Sequence, residues 1–589
     1  MTTVYSHLGQ YIDREFEKDL YAYFQSRLPE NIFDAHIHVC PRGPQSKTHV
    51  DVDEDVAYWR GFMEDIVGEG RMKGALMLPH LFPPKEVDFG NVYAIRQAVS
   101  DPGSTAAIVV TKDQDPEKVE QYILANPIVT TLKPYLTYST NPVKLHSDIE
   151  EFVPDWAWAL ADKHRLSVTL HIARYQQGLS DPKTMRTVIE VCERYPNMRL
   201  ILAHCALAHN PDTLKKALPQ VRRLENLFFD TSGITEPAAI CHTLDGFGPG
   251  KMLYGSDVPF GSTLGRIVQL GSGLLGLDPQ FDYLKPDFPM DYDCSFIPNA
   301  AEGLITLFTA LDEYGISREG QEAIFYNNAK WVFRLDGVKG RPQRARADEY
   351  DREGRGGEDL STAIMAKGCQ VWSEHCIPFI DTCSDGLGDA PLGYSDTYVA
   401  AAIKEAAVAG LPKGFRWKEE EELKRLLLAE HPWAGCVILT ESRAEAEALS
   451  KGIACRKEVL GGEIANGASI GAILCEEAVE CAAAQPDSGA VKAAVYTQKN
   501  RASLSCVRDA VCRIWKDARA KYGVPGSISE EELTFDLEEK DLGFFKAHMQ
   551  KLGFIASNRF IPTAAHIPSV LKRYGSACHE TFAIIAKGK

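Results

Sequence analysis

The sequence has no C-x-x-C pair, no apolar run of the ~18–20 residues that a membrane helix needs, and no internal repeat. Each absence narrows what the chain can be. The missing apolar run excludes a helical membrane protein. Fifteen cysteines are present, but the number is odd and the residues are scattered, so reduced thiols in a cytoplasm fit better than a disulfide framework. A formal charge of −17, with no concentrated basic face, excludes a nucleic-acid partner, because phosphate binding rests on clustered lysine and arginine. The one basic stretch, GRPQRARADEYDREGRGG at 340–357, is broken by acids and reads as a solvated linker. A signal peptide is not expected: MTTVYSHLGQYIDREFEKDL turns acidic and amphipathic, which predicts a helix of the mature protein.

With 589 residues the chain exceeds the ~250–300 at which single cores stop growing, so two domains are expected. Between about 30 and 335, eight apolar, β-rich runs alternate with amphipathic stretches: NIFDAHIHV, KGALMLPH, TAAIVVT, VTTLKPYLT, LSVTLHIA, MRLILAHC, NLFFDTSG and KMLYGSD. Buried parallel strands read as near-continuous apolar runs, and about eight strand–helix alternations predict an α/β fold of the closed (β/α)8 TIM-like type. Polar residues sit at the trailing end of each run, on the face where such barrels carry their chemistry. From about 362 the texture changes to Ala- and Glu-rich helices, SDTYVAAAIKEAAVAG and KEEEELKRLLLAEH, with short strands in CQVWSEHCIPFIDTC and GCVILT. The expected organisation is a barrel over 1–338, a linker over 339–361 and a second, smaller α/β domain over 362–589.

Candidate ligands follow from the strand ends. In FDAHIHVC, His36 and His38 are two apart, so on a strand both imidazoles project to one face and can share a cation. His171 closes LSVTLHIA, His204 closes MRLILAHC and Asp257 closes KMLYGSD. Polar groups are costly at the end of an apolar run unless something there uses them. Imidazole and carboxylate suit a borderline cation such as Zn2+, and three or four ligands with an open position make a catalytic site.

FDAHIHV, LHIAR, LAHCA and YGSDVPFG, in this order, resemble the amidohydrolase superfamily, in the branch that includes non-oxidative decarboxylases and lactonases. The resemblance implies that His36, His38 and His171 are metal ligands. It implies that Asp257 touches the metal and handles the proton of an attacking water. His204 would be a second ligand or a donor that polarises the substrate oxygen. Lys133, in VTTLKPYLT, is expected to contact a substrate carboxylate, with a salt-bridged core lysine as the alternative. Arg174 is expected to hold an anionic group through its planar fork, with loop packing as the alternative. His80 is expected to be a neutral, hydrogen-bonded histidine, and His209 to cap a helix or face solvent. The implied activity is a metal-dependent hydrolase of a small, carboxylated lactone, amide or cyclic substrate, using Zn2+ or, second, Mn2+. Decarboxylation by the same groups and a non-catalytic scaffold are the alternatives.

The region after the linker resembles class III pyridoxal-phosphate-dependent aminotransferases of the glutamate-1-semialdehyde aminomutase type. The resemblance rests on the stretch that opens at AKGCQVWSEHCIPFIDTC, on PWAGCVILTESRAEAEALSKG, on EVLGGEIANGASIGAILC and on SNRFIPTAAHIPSVLKRYGSACHETFAII. In the intact family a long stretch separates the phosphate-binding and lysine-bearing segments; here they nearly adjoin. Gly462 stands where the cofactor lysine is expected, and glycine forms no Schiff base. Arg443 replaces a small residue of the phosphate turn. PLP and transaminase activity are therefore not expected, and a dimerisation or scaffolding role is, with helices at 397–430 as a packing face in a cytoplasmic homodimer.

Overall fold

The computed structural model describes residues 14–42, 53–172, 174, 177–271, 273–278, 296–335, 355–358, 360–373, 377–384, 392–394, 396, 399, 402, 418–465, 468–479, 488–500 and 504–588. The chain divides into two compact units, Met1–Tyr350 and Asp351–Lys589. Among the described residues no helix is long and apolar enough to cross a membrane.

In the first unit the eight apolar runs become β1 (Ile32–Val39), β2 (Met72–Pro79), β3 (Thr105–Val109), β4 (Val129–Lys133), β5 (Ser167–Leu170), β6 (Arg199–Leu202), β7 (Leu227–Asp230) and β8 (Met252–Leu253). All are parallel and lie in the order β1-β2-β3-β4-β5-β6-β7-β8. Backbone bonds from the chain just past β8 close the seam. Ala35 donates to Tyr254 at 2.7 Å, Asp257 to His36 at 2.9 Å and His38 to Val258 at 2.7 Å. The sheet is thus a TIM-like barrel, and closure itself brings Asp257 beside the two histidines of β1.

Apolar side chains fill and cover this frame. Phe33, Leu76, Ile201, Phe228 and Leu253 form one cluster with Val332 and Phe333 of the helix Asn328–Phe333. The N-terminal helix, described from Arg14 to Arg27, packs Phe24 against Phe308 at 5.9 Å and ends in a two-pronged Arg27–Asp312 ion pair. At the start of β2 and β3 the backbones touch: a Cβ on Gly103 would lie 1.4 Å from the carbonyl oxygen of Lys73. Only glycine fits there.

Two local departures from regular geometry sit at the C-terminal rim. β1 carries one extra residue relative to β2 between Asp34 and Ile37, a bulge beside His36. After β6, His204, Cys205, Ala206 and Leu207 all adopt left-handed backbone angles, with φ between 47° and 63°. Non-glycine residues pay for that conformation in steric energy, so a run of four persists only where its surroundings fix it.

After β8 a hairpin follows, β9 (Arg266–Leu270) with β10 (Gly273–Leu277). The second unit carries smaller mixed sheets. One is β11 (Ala363–Lys367), β12 (Gln370–Ser373) and β13 (Pro378–Asp381), to which β19 (Phe554–Ile555) adds in parallel. Another, antiparallel, takes β14 (Cys436–Thr440), β16 (Ala468–Cys475) and β15 (Lys457–Ala465) in that order. A third pairs β17 (Ile528–Ser529) with β18 (Thr534–Phe535). Helices Leu504–Tyr522, Glu539–Lys551 and Pro568–Lys587 enclose a core that includes Trp515, Phe545, Phe554, Tyr574 and Phe582.

Most of the predicted linker lies outside the described residues. Its described end belongs with the second unit: Arg355 is buried, and the Gln550 amide donates to the carbonyls of Arg355 and Glu358. Of the helices expected at 397–430, Lys418–Glu430 is described, whereas 403–417 lies outside the described residues. Gly462 lies on β15, paired with Ile470 of β16.

Candidate metal centre

Hydrogen bonds on the far side of each imidazole decide what His36 and His38 present to the barrel mouth. The His36 ring places Nδ1 2.9 Å from Asp230 Oδ2, and an ionised carboxylate only accepts. The proton of His36 is therefore assigned to Nδ1. Tyr135 donates its hydroxyl proton to the Pro79 carbonyl at 3.0 Å, so its oxygen accepts from His38 Nδ1, also at 3.0 Å. In both rings Nε2 is left with a bare lone pair. These two atoms face one another at 3.2 Å, with Asp257 Oδ1 3.7 Å from the first and 3.5 Å from the second. Two lone pairs and a carboxylate oxygen pointing at one spot repel unless a positive charge lies among them. The donor set fits a divalent cation, with ring protons held by outer partners as ligating histidines require.

Burial favours the same protonation states. His36 is pushed down to about 4, chiefly by desolvation, against the pull of Asp230. His38 and His171 are lowered for the same first reason. Burial alone would raise Asp257, but the neighbouring imidazoles of His38, His204 and His36 outweigh it and hold the carboxyl well below its usual range. At neutral pH the centre offers neutral imidazoles and an ionised carboxylate.

His204 stands between His36 and His171. Its ring centroid is 5.2 Å from that of His36 and 4.9 Å from that of His171. Its Nδ1 lies 2.8 Å from the Ser232 carbonyl and donates there, so Nε2, 3.1 Å from His171 Nδ1, keeps its lone pair. Among the described residues, the group whose ligand atoms all lie within 4.8 Å of one another is His36, His38 and Asp257. His171 comes to the same opening but stands next to His204, outside that group.

The remaining expected residues fall into two sets. Lys133 at the end of β4 is 1% exposed, and burial pushes it down to about 8 against the charges of Asp230 and Asp257. Its ammonium lies over the Tyr135 ring, 5.1 Å from the centroid, and makes no ion pair with a carboxylate among the described residues, unlike the salt-bridged alternative. Arg174 instead turns its fork to Asp148 at 2.8 Å and lies 3.8 Å from Asp181, with Lys183 also on Asp148. His80 has its ring 5.9 Å from that of His38, and its buried Nδ1 has no hydrogen-bond partner among the described residues, unlike the bonded histidine expected.

His209 departs further from expectation. It neither caps a helix nor faces solvent: it is 6% exposed and stacks on His204 at 6.3 Å, and Asn210 caps the following helix Pro211–Val221. The left-handed turn at 204–207 folds the chain back and carries His209 inward. Burial pushes this ring down to about 4, and its Nδ1 has no partner among the described residues.

Sequence reasoning passed over Asp230 and Asp34. Asp230 Oδ1 accepts from the His204 backbone at 2.9 Å and from the Ser232 hydroxyl at 2.5 Å, while Oδ2 holds His36. Its signal was present in NLFFDTSG, where an acid ends an apolar run as His204 and Asp257 do. Asp34 accepts from Trp59 Nε1 and the Ser256 backbone, both at 2.9 Å, and burial pushes it up to about 6. It ties β1 to the chain beyond β8 directly under the centre.

A model of the family described as Amidohydrolase matches residues 34–335. No curated protein matches the chain. Solved structures with similar folds include 5-carboxyvanillate decarboxylase from Sphingomonas paucimobilis, 14% identical, covering 52% of this chain and 99% of its own, with a TM-score of 0.34. A probable 2-pyrone-4,6-dicarboxylic acid hydrolase from Acinetobacter baumannii is 13% identical over 51% of this chain and 99% of its own, with a TM-score of 0.33. The FumI protein of a Sphingopyxis species, in its PLP internal aldimine form, is 11% identical over 41% of this chain and 96% of its own, with a TM-score of 0.32.

Proposed function

The chain belongs to the amidohydrolase family through residues 34–335, and from that premise we propose a divalent-metal-dependent hydrolase acting on a small, carboxylated lactone, amide or cyclic substrate. His36, His38 and Asp257 hold the cation, Zn2+ first and Mn2+ second, with His171 completing the set. When bound, the cation supplies Lewis acidity and a fixed positive charge at the barrel mouth.

The observation that carries the hydrolytic reading is the placement of Asp257, an ionised carboxylate whose Oδ1 is 3.5 Å from His38 Nε2 and whose Oδ2 is 4.0 Å from His204 Nδ1. Such a group takes a proton from an attacking water rather than giving one. His204 Nε2 keeps its lone pair 3.1 Å from His171 Nδ1, so it accepts a hydrogen bond there and donates to a substrate oxygen only once it carries a proton. Lys133 supplies the buried positive charge that a substrate carboxylate seeks. Arg174 contributes only if the substrate draws it from Asp148.

Non-oxidative decarboxylation of an aromatic carboxylate is the second reading, since Lys133 would hold the carboxylate equally well. It asks Asp257 to gain a proton first and then deliver it to carbon, whereas the hydrolytic reading starts from the ionised carboxylate. The second unit is assigned a structural, dimer-forming role without transaminase activity, supported by Gly462 at the position expected for the cofactor lysine, and the protein is assigned to the cytoplasm.

Incubating metal-loaded protein with lactones, cyclic amides and aromatic carboxylates, while following ring opening and CO2 release in parallel, separates the two chemistries. Hydrolysis without CO2 supports the first reading. CO2 release without hydrolysis replaces it with the second, and neither activity across the panel counts against both.

A further inference from the structure

Three cysteines that are distant in sequence meet in the second unit. Cys475, the last residue of the central strand β16, stands directly opposite Cys436, the first residue of β14, and opposite Lys457, the first residue of β15. Cys455 lies two residues before Lys457. Strand alternation puts Cys436 and Cys475 on one face of the sheet, where they and Cys455, at the bend before β15, pack with Ile438, Val459 and Ile473 under Ala446 and Leu449 of the helix Arg443–Ser450. Cys475 is fully buried, whereas Cys436 and Cys455 are only half-buried on either side of it.

Sulfur as a small apolar filler explains the central residue. It does not explain why both flanking thiols lie at the solvent boundary against the same buried sulfur. The Cys436 thiol donates to the Glu477 carbonyl at 3.2 Å, and both flanking thiols lie close enough to act electrostatically on the central one. We propose that Cys436, Cys455 and Cys475 form a thiol-oxidation site for small disulfides such as glutathione disulfide, with Cys475 as the sulfur shared by two alternative internal disulfides.

The exchange balances without further reagents. A flanking thiolate, Cys455 or Cys436, attacks one sulfur of the small disulfide, forming a mixed disulfide and expelling one thiolate. The Cys475 sulfur then attacks the protein sulfur of that mixed disulfide, forming the internal bond and expelling the second thiolate, which takes up the Cys475 proton. Two protein thiols are oxidised by two electrons and one small disulfide is reduced to two thiols. Attack begins at a flank because Cys475 is inaccessible and burial pushes its thiol up to about 12. The unused flanking thiol can then attack Cys475 and release its counterpart, which interconverts the two internal disulfides.

The test is non-reducing peptide mapping by mass spectrometry of the full-length protein, reduced, desalted, incubated with glutathione disulfide, denatured and alkylated. The Cys475 peptide is expected linked to the Cys455 or Cys436 peptide, lighter by two hydrogens and released by dithiothreitol. Cys455→Ser is expected to move the link wholly to Cys436, and Cys436→Ser to move it wholly to Cys455. The inference fails if Cys475 remains fully alkylatable while the flanking thiols carry only glutathione. It fails equally if Cys475 links to a cysteine outside the trio. The wild-type map decides even if a variant misfolds.

Discussion

One oxygen of Asp230 takes the ring proton of His36, while the other takes the His204 backbone N–H and the Ser232 hydroxyl. That carboxylate therefore fixes the tautomer of His36 and the position of His204. Asp230→Asn keeps the shape but can no longer accept at both oxygens. Metal affinity, measured by titrating the chelator-stripped protein, is expected to fall by about 10–100-fold while the far-ultraviolet circular dichroism spectrum stays unchanged; unaltered affinity would refute the role. Asp257→Asn differs in kind, because it removes the proton acceptor and retains an oxygen near the cation. With a substrate from the hydrolysis screen, turnover is expected to drop by at least about 100-fold with fold preserved, and near-normal turnover would refute the assignment. At this scale the sequence revealed His36, His38 and Asp257 through polar residues ending apolar runs. The same signal stands at Asp230, whereas nothing in the spelling of AHCALAHN announces that His209 turns inward.

The strands were legible because burial on both faces leaves almost no choice but apolar residues, and all eight runs appear as the barrel strands in order. The rim was less so. AHCALA has the composition of an ordinary helix start, yet His204 to Leu207 wind left-handed, since backbone bonds and the pocket around His204 override local propensity. The bulge at His36 likewise leaves the H-x-H spacing untouched and so has no mark in the sequence. Where backbones meet, the requirement is sharper. Gly103→Ala would drive a methyl carbon to within 1.4 Å of the Lys73 carbonyl oxygen, so the β2 and β3 entries must separate. A loss of about 1–3 kcal/mol is expected in denaturant unfolding of the first unit, and an unchanged midpoint would show that the contact is not tight.

Across the molecule, two units with separate cores answer to different constraints. In the second unit His566 is buried, accepts the Thr563 N–H on Nδ1 and reaches the Asp381 carbonyl through Nε2. Burial lowers it from 6.5 to about 4. A histidine depressed on folding leaves full stability above its unfolded value and loses it as the pH falls through the folded one. Stability of this unit is therefore expected to decline between pH 6.5 and about 4 by up to about 3 kcal/mol, and His566→Gln to remove that part of the slope; identical slopes would exclude it. The sequence signalled the mixed α/β character of this unit but not the meeting of Cys436, Cys455 and Cys475, because strand pairing between distant segments leaves no local spacing to read. In the barrel, by contrast, the spacing and the chain closure bring His36, His38 and Asp257 to one candidate cation site. The most direct test is metal stoichiometry by elemental analysis after chelator stripping, reloading with Zn2+ or Mn2+ and dialysis, for wild type and for the His36→Ala, His38→Ala double variant. About one equivalent is expected in the wild type and almost none in a folded double variant; less than about half an equivalent in the wild type, or equal loading in both, would contradict a metal centre at His36, His38 and Asp257.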